Sequence, residues 1–136
     1  MRIFIAGYLS AALCMLVLDV VWLSATAQPL YRALLGDLFR PDFNLQPAVL
    51  FYLLYIFGIV WFAVLPALAT GHWTTALIHG ALLGLVAYGT YDLTNQATLA
   101  RWSTIITIVD LCWGTALTAL AATAGFFGAR TFGGAG

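Results

Sequence analysis

Three aspartates, Asp19, Asp92 and Asp110, stand inside apolar runs of this 136-residue chain. An ionised carboxyl accepts hydrogen bonds, a protonated one donates, and either form can move a proton to or from a substrate. Each aspartate travels with aromatic residues that carry a polar tip. Trp22 follows Asp19 and Trp113 follows Asp110 in the same Asp-x-x-Trp spacing, so in a helix each pair shares a face. Tyr88 and Tyr91 precede Asp92, and Asn95 follows it one turn later. Tyr52 and Tyr55 form a further polar pair in an apolar run. The chemistry open to such groups is polar recognition or acid–base transfer in an apolar medium. Other familiar sets are missing: there is no Ser/His/Asp arrangement, no phosphate-binding glycine loop and no Glu-x-x-His pair. No metal site is therefore expected, and the residues name no cofactor. His79 falls on the helix face opposite Tyr88 and reads as a packed histidine without a partner. Cys14 and Cys112 lack metal-ligand spacing and read as two small buried side chains.

The elements that hold these residues follow from composition. Hydrophobic residues make up 63% of the chain and charged residues 7%, against about 25% charged in an ordinary globular domain. Such a chain cannot clothe a water-facing surface and must use lipid as its solvent. Net charge is zero, with no Lys and no Glu. Nothing forms a basic stripe, which argues against nucleic acid as a partner. The fold class read from this is all-α: one domain, residues 1–136, forming an integral membrane bundle of four transmembrane helices with one short interfacial amphipathic helix. The spans are expected at about residues 3–27, 47–69, 73–93 and 103–127, and the interfacial helix at about 30–40, opened by Pro29 and stopped by Pro41. A cleaved signal peptide is rejected for the first span, which is too long for the purpose and carries Asp19 in its second half. Residues 128–136 are Gly-rich and are expected to fray.

Alternating direction places the polar groups. Asp19 comes late in span one, Tyr52 and Tyr55 early in span two, Tyr91 and Asp92 late in span three, and Asp110 early in span four. All of them reach the membrane half that bears the long loop. At 100° per residue Gly80, Gly84, Tyr88, Tyr91, Asp92 and Asn95 fall on one face, as do Ser103, Thr107, Asp110, Gly114 and Thr118. A carboxylate in hydrocarbon costs about 2.5–3.5 kcal/mol on insertion scales, so these faces should turn inward and find donors. Asp19, Asp92 and Asp110 are expected to line one cavity with Trp22, Tyr55 and Tyr91, and Arg101 to pair with Asp92 or Asp110. Gly80-x-x-x-Gly84 is read as a packing motif within the chain.

The strings Leu18-Asp-Val-Val-Trp-Leu23, Phe51-Tyr-Leu-Leu-Tyr55, Tyr91-Asp-Leu-Thr-Asn95 and Val109-Asp-Leu-Cys-Trp-Gly114 resemble a bacterial family of small membrane proteins. It is the domain-of-unknown-function family numbered twenty-one seventy-seven. The resemblance covers nearly the whole chain. It implies four spans and a multi-pass place in the bacterial inner (cytoplasmic) membrane, tilts toward a lipid-related role, and brings no established activity. The reading is a small membrane protein that binds or handles a lipophilic ligand or lipid. Its site is an intramembrane pocket of Asp19, Trp22, Tyr52, Tyr55, Tyr88, Tyr91, Asp92, Asn95, Asp110 and Trp113. Two alternatives stand beside it: a membrane enzyme using aspartate acid–base chemistry on a lipid, and an accessory subunit of a larger membrane complex whose polar face is helix glue. The partners implied are membrane lipids, a lipophilic small molecule, and a second copy or a membrane complex.

Overall fold

Helix α1 runs over Arg2–Thr26, about 37 Å at 1.5 Å per residue, enough to cross roughly 30 Å of hydrocarbon. Helical structure then continues through a wide π turn at Ala27–Arg32, a single turn α2 at Ala33–Leu35 and a 3₁₀ turn at Gly36–Leu38. The remaining helices are α3 (Leu45–Ile59), α4 (Leu65–Thr70), α5 (Trp73–Thr98) and α6 (Thr104–Gly133), with a second π turn at Val60–Val64 joining α3 to α4. The computed structural model describes residues 1–134, and among them there is no strand. Four helical stretches, Arg2–Leu38, Leu45–Thr70, Trp73–Thr98 and Thr104–Gly133, are long and apolar enough to span a membrane.

Prolines explain both π turns. Pro29 and Pro66 have no N–H to give to the preceding turn. A π turn lies around Pro29 and another ends two residues before Pro66, where the wider winding takes up the mismatch without ending the helix. The interfacial segment is therefore continuous with α1 rather than set off from it by Pro29. It lies over the ends of α5 and α6, where Tyr31 reaches Asp110 and Asp37 meets Arg101. The Asn44 side chain caps α3 by accepting from the Gln46 N–H at 3.2 Å. Gly71, at φ 75°, ends α4 in the left-handed conformation that glycine adopts without strain.

Helix α6 is the centre of the bundle, with α1 and α5 packed antiparallel along its two sides and the α3–α4 span closing over the seam. Small residues let the backbones meet. A Cβ added at Gly84 would collide with the Gly114 carbonyl oxygen and lie 2.7 Å from Thr118 Oγ1. At Gly80 it would lie 2.8 Å from the Thr118 carbonyl oxygen. The Gly80/Gly84 face is thus consumed inside the chain. Gly125 packs on Gly7 and Val64 in the same way on the α1 side. Between these contacts lies an apolar core that includes Met15, Ile59, Val64, Leu117 and Phe126.

Two expectations change here. Residues 128–133 do not fray: α6 runs to Gly133 because Gly128 and Gly133 give α1 room to approach, at Ser10 and Ile3. Residues 135 and 136 of that expectation lie outside the described residues. Cys14 is half-buried, but Cys112 is exposed, on the outward face of α6.

Candidate functional site

The polar residues assemble at the loop-bearing end in two adjoining clusters. In the first, Asp19 of α1 is 9% exposed and takes hydrogen bonds from two other spans. Tyr52 of α3 donates its hydroxyl to Asp19 Oδ2, and Trp113 of α6 donates Nε1–H to Asp19 Oδ1 at 3.2 Å. In the second, Asp110 of α6 accepts the Tyr31 hydroxyl on Oδ1. Tyr31 in turn accepts the Trp22 Nε1–H at 3.2 Å. The clusters touch through the indoles: Trp22 and Trp113 stack with centroids 4.4 Å apart and planes 8° from parallel.

Asp92 of α5 is the most enclosed of the carboxyls. It is fully buried, and neither oxygen meets an N–H or O–H donor within the described residues. Its polar neighbour is the carboxyl of Asp110 across the α5–α6 contact. Two carboxyls can bond each other only through a proton that one of them carries. A buried pair of this kind is where an acid–base group or a polar ligand contact could be built, and it is also costly enough to call for a reason.

A cavity of about 360 Å³ opens beside this pair, lined by Phe51, Ala87, Tyr88, Tyr91 and Asp110. Its wall is mostly aromatic and aliphatic, with Asp110 as the acidic residue on it. Tyr88 packs its ring over Gly114, where any side chain would collide with it, and stands edge-on to Tyr55 at 6.4 Å. The Tyr88 hydroxyl makes no hydrogen bond among the described residues. A second space, of about 650 Å³, lies toward the loops and is bordered by Tyr31, Arg32, Arg40, Asp42 and Tyr91. A third, of about 300 Å³, includes Asn95, Leu99 and Trp102, again with Tyr91. Tyr91 borders all three, held edge-on by Trp102 at 5.7 Å, so it partitions the membrane cavity from the loop-side spaces.

The expected residues do converge on one membrane half, but not on one cavity. Asp110, Tyr88 and Tyr91 reach the membrane cavity; Asp92 is sealed behind Asp110; Asp19, Tyr52 and Trp113 form the neighbouring cluster. No three carboxylate, His or Cys side chains among the described residues come close enough to share one ion. Tyr55 pairs with Thr118 Oγ1 at 2.7 Å rather than with a carboxylate. Arg101 pairs with exposed Asp37 at 2.8 Å and not with Asp92 or Asp110. The loop after α5 carries it outward to the interfacial segment, where both groups stay hydrated. His79 does have a partner: its Nδ1 lies 3.1 Å from the Phe62 carbonyl oxygen. Thr107 accepts from Trp102 Nε1 at 3.1 Å.

The residue missed in the sequence is Tyr31, which bonds to both Trp22 and Asp110. Stepping 100° per residue from Trp22 puts Tyr31 on the opposite face. The π turn changes that phase and swings it inward. The signal was present in Pro29, a residue that either breaks a helix or forces such a turn.

Among protein families, a model described as "Predicted membrane protein (DUF2177)" matches residues 4–127, a range that includes every residue of the two clusters and the cavity. No curated protein and no solved structure matches the chain.

Proposed function

The chain belongs to the DUF2177 family of membrane proteins, and from that premise we propose that it holds a lipophilic small molecule or lipid inside the membrane. The observation that carries this reading is the cavity between Phe51, Tyr88, Tyr91 and Asp110. Its volume falls within the roughly 300–1,000 Å³ range of small-molecule sites, and an apolar wall with few polar groups is their usual construction. It lies between the second and third spans, where a ligand could enter from the bilayer. The resemblance to a bacterial family supports the inner membrane as its location and lipids as its surroundings.

One observation favours catalysis as a second reading: the Asp92–Asp110 pair lies at the cavity and could hand a proton to a bound lipid. The cluster around Asp19, in contrast, is fully explained as interhelical bonding. It would serve an accessory subunit equally well. The cavity is what separates the first two readings from that third one.

The test is native mass spectrometry of the full chain extracted from membranes. Wild type should retain a small-molecule adduct, and Ala87→Phe, which fills the cavity, should lose it while keeping its helix content. A folded Ala87→Phe protein with an unchanged adduct, or wild type with none, would reject the cavity as a ligand site.

A further inference from the structure

The cavity's polar groups are unevenly provided for by the protein itself. Asp110 receives the Tyr31 hydroxyl on one oxygen, and the one other group beside it that can donate is Asp92, when that carboxyl bears the proton the two share. Behind it, fully buried Asp92 adds a second carboxyl with no donor. The Tyr88 hydroxyl on the cavity wall has no partner either. Cations are kept away. Arg101 is bonded to Asp37 outside the bundle, and Arg32 and Arg40 border the loop-side space beyond Tyr91. Arg2 and Arg130 belong to the opposite membrane face. His79 faces Phe62 on the outer side of α5. The cavity therefore offers the remaining lone pairs of the Asp110 carboxyl and one hydroxyl, that of Tyr88.

Building on the ligand-binding reading above, we infer that the molecule taken into this cavity carries a hydrogen-bond-donating head, a hydroxyl or an ammonium group, on an apolar body. A hydroxyl donates to Asp110 and accepts from Tyr88 at once. An ammonium donates to Asp110 and, if charged, offsets the carboxyls. A carboxylate, a phosphate or an ester has acceptors alone; it can use Tyr88 but sets an oxygen against Asp110. In a mostly apolar site that mismatch leaves acceptors unpaired, which is what gives such sites their discrimination.

The experiment uses the full chain in detergent with four probes of equal chain length: 1-dodecanol, dodecylamine, methyl dodecanoate and dodecanoate. Adducts are counted by native mass spectrometry. The alcohol and the amine should bind at least about tenfold more tightly than the ester and the carboxylate, the equivalent of one hydrogen bond to a charged group. Asp110→Asn, whose amide can both donate and accept, should bring the four to within about threefold of one another while still accepting Tyr31. Tyr88→Phe should weaken the alcohol and leave the amine unchanged. Equal binding of all four to wild type would overturn the donor-head assignment and leave an apolar ligand site standing. A preference that persists in Asp110→Asn would overturn it as well. If no probe binds, or if Ala87→Phe binds them like wild type, the ligand-binding reading itself is wrong.

Discussion

Trp22 and Trp113 lie face to face, 4.4 Å apart, and each serves the aspartate that precedes the other. Trp113 donates to Asp19, while Trp22 reaches Asp110 through the Tyr31 hydroxyl. The two Asp-x-x-Trp strings are thus exchanged across the antiparallel α1–α6 contact. Stacked aromatic pairs contribute about 0.5–1.5 kcal/mol beyond the area they bury. A double-mutant cycle with Trp22→Leu and Trp113→Leu, read by unfolding in mixed detergent, should give a coupling of that size. Strictly additive losses would mean that the rings do not support each other.

Asp19→Leu removes the acceptor of two half-buried donors, the Tyr52 hydroxyl and the Trp113 N–H. Leaving a fully buried donor unpaired costs about 1–3 kcal/mol, and a half-buried one less. The variant should insert into membranes yet unfold at lower denaturant. Asp19→Asn should lose less, since its amide oxygen still accepts. Equal stability for wild type and Asp19→Leu would show that these donors are satisfied elsewhere.

Gly84→Ala should be among the most damaging single-carbon changes in the chain. Its Cβ meets the Gly114 carbonyl oxygen and Thr118, so α5 and α6 must separate, at a cost of about 1–3 kcal/mol. Gly89 is the matched control on the same helix, because a Cβ there meets only Leu93 Cδ1 at 3.9 Å. Gly89→Ala should be neutral or stabilising by up to about 1 kcal/mol. Similar melting temperatures for the two variants would contradict the close α5–α6 approach.

His79 meets a carbonyl within the π turn that precedes Pro66. In α-helical spacing the Phe62 carbonyl would take its bond from residue 66, which is proline and has no N–H. His79 Nδ1 stands 3.1 Å away and donates when that nitrogen bears the proton. His79→Leu should therefore destabilise by about 0.6 kcal/mol, the average for hydrogen bonds between helices in membranes. In a Pro66→Ala background, where the backbone can supply its own donor, the same change should be nearly neutral. Equal effects in both backgrounds would sever the link between the two residues.

The sequence by itself determined the solvent, the number of spans and the membrane half in which the polar groups meet. Each of these is a one-dimensional property. Lipid as solvent follows from 7% charge, the span count from the length of apolar runs, and the common end from alternating direction. The inward faces of α5 and α6 were legible too, because Gly80, Gly84, Thr107, Asp110 and Gly114 repeat at helical spacing and are all buried. Which donor meets which carboxylate was decided only by the tertiary structure. Hydrogen bonds depend on ångström-scale heights and on helix phase, and a single π turn at Pro29 shifts every residue after it. Tyr31 was brought in by that shift. The loop carried Arg101 away to Asp37, and close packing at Gly84 and Gly114 set Asp92 against Asp110 with no donor between them. Periodicity gives a residue its side of a helix; only packing gives it a partner.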